Sequence, residues 1–310
     1  MVSRTLPLAL VLAALAVTGV GLALAGVVST EDADANAVLQ QQQVDACGTI
    51  DTPGRYVLTA DVNASGGDAC LVVQADDVTI DGDGYAIRGE GPESVGVAVP
   101  GEEGPPENLT VRNVDLVGHG TGIGVEPFRT GDATIRVRNV RIAAGETGFD
   151  LEDASGSVAN VTVENNERGM SLGVTDNLTV RNVTVQDNGR GVGLSAGADA
   201  TFVEVQIRRN DGEGVFTDEQ TGTVRFERSL VARNGGDGIF HQGDDLTVSE
   251  SVVRANGEAG LDVDFGAARL LDTRLADNGD GGLELTRADL RLSNVTLNTR
   301  SRENETAEES

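Results

Sequence analysis

Between residues 163 and 285 one phrase recurs six times: VENNERGMSL, VQDNGRGVGL, IRRNDGEGVF, VARNGGDGIF, VRANGEAGLDV and LADNGDGGLEL. Each carries an aliphatic residue, an Asn three positions later, then a Gly and an apolar residue. The Asn residues are Asn166, Asn188, Asn210, Asn234, Asn256 and Asn278, a period of about 22 residues. The aliphatic residues keep step at Val163, Val185, Ile207, Val231, Val253 and Leu275, and the glycines at Gly169, Gly191, Gly214, Gly238, Gly260 and Gly282. A second track, seen in NLTVRNVTV, DLTVSESVV and DLRLSNVTL, alternates apolar with polar residues, which is the pattern of strands with one buried face.

A unit this short, holding two or three strands, cannot bury its apolar face alone and must stack on its neighbours. The expected fold class is therefore all-β, a right-handed parallel β-helix of roughly ten coils, each rising by the inter-strand spacing of about 4.8 Å. In that geometry equivalent Asn side chains bond to one another at a corner, as Asn ladders do in stacked sheets. The following Gly is expected to supply positive φ or to let adjacent coils approach closely. Toward the N-terminus the pattern drifts. VDLVGHGTGIGV and VRIAAGETGFDL put Gly118 and Gly145 near the Asn position, and RYVLTADVNASGGDACLVV and VTIDGDGYAIRG read as first coils ahead of a Gly/Pro/Glu-rich insertion around Gly101 to Glu107.

Four segments follow from this reading. Residues 1–30 hold Arg4 ahead of an apolar run from Leu6 to Val28, a signal peptide ending near Ala23-Leu24-Ala25 or a retained signal anchor. Residues 31–46 are expected to form a linker or N-terminal cap, with TEDADANAVLQQQQVD as its helical part. Residues 47–298 are the β-helix, and 299–310 a polar disordered tail. Cys47 and Cys70, the two cysteines of an exported chain, read as one disulfide. Sequons begin at Asn63, Asn108, Asn160, Asn177, Asn182, Asn294 and Asn304, so an exported chain is a candidate glycoprotein, although Asn, Val and Thr are also what the repeat uses structurally.

Charge narrows the partners. The chain has 50 acidic and 23 basic residues, a formal charge of -27, and every basic residue is Arg. Such self-repulsion is largely removed where molar salt shortens the screening length to about 3 Å, and the composition resembles that of extremely halophilic archaea. Nucleic acid and anionic membranes are excluded as partners by the same charge, leaving any membrane contact to the N-terminal segment, and a secreted or extracytoplasmic cell-surface location is expected.

The stretch from Cys47 to about Asn298 resembles the right-handed parallel β-helix repeat proteins, and the block from CGTIDTPGRYVLTADV to VTIDGDGYAIRG resembles the start of the NosD-like group. The resemblance implies a fold that hosts polysaccharide lyases, hydrolases, epimerases, adhesins and copper-site assembly factors. In enzymes of this fold, polysaccharide lies across an outward sheet face. With the apolar residue after each Gly pointing inward, the outward residues are expected to be Asp150, Glu152, Ser171, Gly193, Phe216, Asp218, Phe240, Gln242, Asp262, Asp264 and Glu284. Phe216 stacked on Phe240 beside Asp262, Asp264 and Glu284 suits a sugar ring or a hydrated cation.

Asp218, Asp262, Asp264 and Glu284 are the candidate catalytic carboxylates, since glycoside hydrolysis wants two at fixed separation. His119 and His241 read as structural. GHG at Gly118 to Gly120 and QGDD at Gln242 to Asp245 stand in the reverse of the polygalacturonase order, without its companion blocks, and a lyase with a Lys base has no Lys to use, although Arg could substitute. Asp81-Gly82-Asp83-Gly84 is expected to be a turn, because its remaining calcium-ligand spacing fails. No metal centre is expected, calcium being the one cation that could serve as cofactor. With Met170 as the sole internal Met, direct copper binding is disfavoured. The expected role is a binding or structural module for extracellular or cell-surface carbohydrate, the alternatives being a polysaccharide lyase or glycoside hydrolase and a NosD-like accessory factor in metalloenzyme maturation.

Overall fold

The computed structural model describes residues 41–64, 69–102 and 104–298. All regular elements among them are strands, and every pairing is parallel, between residues one coil apart, from 14 in the first coil (Gln41 with Arg55) to 31 at Thr79 with Thr110. Three sheets result. Sheet I runs from Gly48–Ile50 through Arg190–Ser195, Val215–Thr217, Ile239–His241 and Leu261–Val263 to Leu283–Leu285. Sheet II runs from Gln41–Val44 and Gly54–Leu58 to Ala288–Ser293, and sheet III from Val62–Asn63 to Thr296–Asn298. In the N-terminal half single strands such as Thr147–Glu164 bend through the corners and serve all three sheets. The coil wraps about eleven times at a spacing near 22 residues.

The inward rows are the periodic apolar positions of the sequence. Val163, Val185, Ile207, Val231, Val253 and Leu275 lie in register in sheet III, each at most 2% exposed. In sheet II the row passes through Val158, Val180, Phe202, Phe226, Val248 and Leu270, with the two Phe rings stacked at 4.6 Å. Polar ends of the strands face water, so the core is a continuous apolar column closed on three sides.

At the corner between sheets III and I the six Asn residues form the expected ladder. Each Asn from Asn166 to Asn256 donates both its backbone N–H and its Nδ2 to the Oδ1 of the Asn in the next coil, the Nδ2 bonds at 2.9–3.0 Å. All six are buried. The ladder satisfies backbone groups that the corner removes from the sheets, which is why a polar residue is tolerated inside.

The glycine expectation is met in one half only. The positive φ, between 53° and 59°, falls on the residue before each Asn, namely Asn165, Asp187, Arg209, Arg233, Ala255 and Asp277. The glycine is needed for close approach: a Cβ on Gly191 would stand 2.1 Å from the carbonyl oxygen of Gly214. A second ladder runs along the corner between sheets II and III. Asn113, Asn139, Asn160 and Asn182 adopt φ of 49° to 54° and are linked by exposed side-chain bonds of 2.8–3.3 Å. Asn160 and Asn182 begin sequons, as do Asn108 and Asn177, and all four use Nδ2 as a donor to a neighbouring side chain.

The first coils carry two further constraints. Cys47 and Cys70 are disulfide-bonded, as expected, which closes a loop worth roughly 3 kcal/mol in the chain-entropy model. Asp81 is a buried hub: Oδ2 meets Arg55 at 2.8 Å and Arg112 at 2.7 Å, while Oδ1 accepts from Asn113 and from the Asp83 N–H. Burial alone would raise its pKa, but these bonds hold it at about 2. The Asp81-Gly82-Asp83-Gly84 run is thus an Asp-capped turn. The helical cap expected over Thr30 to Asp45 needs correction: Gln41–Val44 is a strand that pairs with Gly54–Leu58 and belongs to the solenoid. Residues before 41, with the apolar run, lie outside the described residues, as does the tail from 299. Among the described residues no helix is long and apolar enough to cross a membrane.

The two ladders differ in burial and so in energetic weight. Asn210→Ala removes an acceptor shared by two buried donors of Asn188, so unfolding in denaturant at molar salt is expected to show a loss of about 3 kcal/mol. Asn160→Gly keeps the left-handed corner and loses only exposed bonds, for an expected change below about 1 kcal/mol. Equal losses in the two variants would contradict this assignment.

Candidate functional site

The outward face of sheet I carries the candidate residues. Its central row reads Asp150, Ser171, Gly193, Phe216, Phe240, Asp262 and Glu284, each directly beside the next in the parallel register. The inward neighbours on either side, such as Val215 and Thr217, are buried, whereas this row is part-exposed or exposed. Two residues further along, Glu152, Gly173 and Ser195 form a parallel outward row, and the backbone ladder continues past the strands to Asp218, Asp264 and Thr286. Identical alternation in every coil puts these side chains outside.

Phe216 and Phe240 stack with centroids 5.6 Å apart and rings within 11° of parallel. N-terminal to them the row drops to Ser171 and Gly193, and a depression of about 190 Å³ opens there, lined by Arg168, Ser171, Arg190, Gly193, Ser195 and Phe216. The two arginines stand in register on one rim, Arg190 with Glu213 at 3.6 Å and Arg168 donating to Thr147 Oγ1. Gly193 has an ordinary φ, and a Cβ there would meet nothing nearer than 3.9 Å. Unlike the corner glycines, it is not demanded by packing. Sequence reasoning placed Gly193 on this face but missed the groove, Arg168 and Arg190: an absent side chain offers no letter to notice, and the arginines precede the Gly from which the outward positions were counted.

C-terminal to the Phe pair the face becomes acidic. The Asp262 carboxyl is raised from its ordinary value by burial and by Glu284, Asp264 and Glu258. Asp237, at the corner leading into sheet I, is pushed to about 6 by burial, with Asp262, Glu258 and Glu284 adding to the effect; its Oδ1 accepts from the Ala259 N–H at 2.8 Å. Sequence reading did not single it out because it sits inside the NGGDG turn. Glu152, at the other end, is raised by burial and by Asp150 and Asp153.

The structure separates the candidate carboxylates. Asp218 braces a turn, its Oδ1 accepting from the Gln220 N–H and Thr221 Oγ1. Asp264 accepts from Gln242 Nε2 at 3.0 Å and lies 3.6 Å from Arg287. Asp262 and Glu284 remain adjacent on the central row. No group of three or more His, Cys, Asp or Glu among the described residues is arranged to hold a metal. His241 is fully buried, with Nδ1 2.9 Å from Thr217 Oγ1 and Nε2 unpartnered; burial lowers its pKa to about 4 against the raising effect of Asp245 and Asp244. His119 is also buried, between Ser94 and the Ile87 carbonyl.

A family model for the right handed beta helix region matches residues 96–251 and 147–299, overlapping spans that together cover most of the chain. The chain belongs to that family. Among solved structures, it resembles the A-module of the mannuronan C-5 epimerase AlgE6 from Azotobacter vinelandii, with 20% identity, 75% of this chain and 71% of that one covered, and a TM-score of 0.67. It also resembles the periplasmic alginate epimerase AlgG, with 16% identity, 79% and 69% covered, and a TM-score of 0.64. No curated protein matches the sequence. At these identities the likeness is one of fold.

Asp237 gives the site a pH signature. A carboxyl raised in the folded state stabilises it below the unfolded pKa near 4, and that contribution is lost as pH rises through about 6. Asp237→Asn keeps the bond to Ala259 without the charge, so it is expected to be the more stable protein by about 2 kcal/mol above pH 6 and about equal to the parent below pH 4. Urea unfolding across that range checks the sign.

Proposed function

We propose that the outward face of sheet I binds a carbohydrate chain, with Gly193 as the floor of the contact and the Phe216–Phe240 stack as its wall, in a protein exported to the cell surface. The carrying observation is the groove at Gly193: a small-residue floor that packing does not require, beside a part-exposed aromatic pair. Aromatic rings take the apolar faces of sugars, and a few polar groups set orientation. Arg168 and Arg190 on the rim supply donors for hydroxyl or carboxylate groups. The names of the two structural relatives state action on mannuronan and alginate, both polysaccharides, which supports carbohydrate as the ligand class. The apolar run from Leu6 to Val28 supports export, and the charge of -27 supports work at high salt.

A second reading, a polysaccharide lyase or glycoside hydrolase, is favoured by one observation: Glu152 and Asp262, both raised in pKa first by burial and then by neighbouring carboxylates, stand on either side of the groove and the Phe pair. Raised carboxyls are what general acids need. Among the described residues the NosD-like maturation role gains no accessible Met, His or Cys ligand, because Met170, His119 and His241 are buried and both cysteines are in the disulfide.

Affinity electrophoresis against acidic and neutral polysaccharides in molar salt tests the proposal. Retardation by at least one polymer is expected, weakened about ten-fold in Phe216→Ala or Phe240→Ala. Gly193→Val is expected to remove it while leaving the thermal midpoint unchanged, since the added side chain meets open space. Retardation that survives Gly193→Val would place binding elsewhere. New reducing ends or unsaturated uronates in the same mixtures, lost in Glu152→Gln, would establish the second reading.

A further inference from the structure

The chain contains four Asn-Gly dipeptides, Asn188-Gly189, Asn234-Gly235, Asn256-Gly257 and Asn278-Gly279, and all four are rungs of the buried ladder. Asn is a chemically labile residue, and Gly after it leaves the attacking amide nitrogen unshielded. That nitrogen, once its proton has passed to a base, attacks the side-chain Cγ. The Cγ–Nδ2 bond breaks and ammonia leaves, closing a five-membered imide. Water then opens the imide at either carbonyl, giving Asp or an isoaspartate whose backbone runs through the former side chain. Water is the sole co-reactant, and nothing is oxidised or reduced.

The fold demands these dipeptides and also holds them back. Asn supplies the rung, and a Cβ on Gly189, Gly235, Gly257 or Gly279 would run into the carbonyl oxygen of Glu167, Asp211, Gly235 or Gly257 in the coil before. Each attacking amide, however, already donates to the Asn carbonyl one coil back: Gly189 to Asn166, Gly235 to Asn210, Gly257 to Asn234 and Gly279 to Asn256, at 2.8–2.9 Å. Each side-chain amide is pinned as well, its Oδ1 accepting two bonds from the previous rung. The four residues are at most 3% exposed. Swinging Cγ onto the amide nitrogen would break these bonds inside a buried corner, where no water replaces them.

We propose that the four Asn-Gly rungs are deamidation sites closed by winding and opened by unwinding, so that a chain left unwound loses the ability to rebuild its ladder. The product accounts for the loss. In Asn188, Asn234 and Asn256, Nδ2 donates to the Oδ1 of the next rung. A carboxylate oxygen in its place meets that Oδ1 with no hydrogen between them and carries an unpaired charge into the corner. Isoaspartate adds a backbone atom and shifts the turn. The change is irreversible, so time spent unwound becomes a limit on the lifetime of the protein. Winding joins residues about 22 positions apart coil after coil, which makes that time long compared with a fold of local contacts.

Peptide mass mapping of the full chain, held at mildly alkaline pH for equal times wound in molar salt and unwound in urea, tests this. Conversion is read from the mass change on exchanging an amide NH2 for OH, and from isoaspartate. At the four rungs it is expected to be at least about ten-fold slower in the wound chain, because it waits for local opening. Asn166 and Asn210, rungs followed by Glu167 and Asp211, are expected to lag the four in urea. The fraction that refolds on dilution is expected to fall as the four convert, and to stay full after equal time in urea at mildly acid pH, where the amide keeps its proton. Asn256→Asp installs the product at one rung. It is expected to be destabilised at neutral pH and to recover in part at low pH, where a protonated carboxyl again donates to Asn278. Should this variant fail to fold at any pH, the conversion and refolding arms decide without it. Equal conversion in the wound and unwound chains overturns the inference. So does full refolding of a converted chain, or an Asn256→Asp protein as stable as the parent at neutral pH.

Discussion

Everything in this molecule depends on one coil satisfying the hydrogen bonds of the next. A single coil has a few short strands, two open edges and an apolar strip too narrow to close on itself. Stacked in parallel at the inter-strand spacing, it pairs its edges and turns the strip into part of a column. Corners are the weak point, because the chain must leave the sheet there and release backbone groups from the ladder. The buried Asn series from Asn166 to Asn278 supplies the missing partners on the sheet I side, and left-handed residues turn the chain before each rung. With the inside so fully specified, the outward positions are released from structural duty, which is what allows a face to vary from serine and glycine to phenylalanine to aspartate within a few coils.

That division of labour explains the form of the candidate site. Its residues occur once per coil at one position of the repeat, so neighbours on the face are about 22 residues apart in sequence and one strand spacing apart in space. A step from Gly193 to Phe216 is a step from floor to wall. The site's electrostatics follow the same axis, with arginines on the rim near Ser171 and carboxyls raised by burial and by one another beyond Phe240. His241 shows the opposite case, a polar group on an inward row, kept neutral by burial and tied to Thr217.

Much of the fold was legible in the sequence because it is written in repeated letters. The inward aliphatic rows, the buried ladder and the facing of Phe216 and Phe240 follow from period and alternation, and the disulfide between Cys47 and Cys70 from there being just two cysteines to pair. What was not legible lacked a constant letter. The exposed corner ladder through Asn113, Asn139, Asn160 and Asn182 gives way in later coils to Glu204, Arg228, Glu250 and Asp272 at the same left-handed turn, so it reads as scattered sequons. Gln41–Val44 is strand because a neighbour completes its hydrogen bonds, although QQQV has no apolar alternation of its own. The groove is defined by side chains that are small or set one position upstream, and Asp237 owes its raised pKa to burial, with Asp262, Glu258 and Glu284 from other coils adding to it.

Repetition also has a kinetic side. Because rungs from Asn166 to Asn278 are chemically alike, a chain that skips a coil while winding can join Asn188 to Asn234 with local contacts nearly as good as the native ones. Such slipped registers are competing minima that a less regular fold would not have. The irregular features are then what tells one coil from another: the Cys47–Cys70 link, the Asp81 hub with its two arginines, the inward Phe202–Phe226 stack and the Thr217–His241 pair. Each occurs once and is satisfied only when every coil before it has been counted correctly.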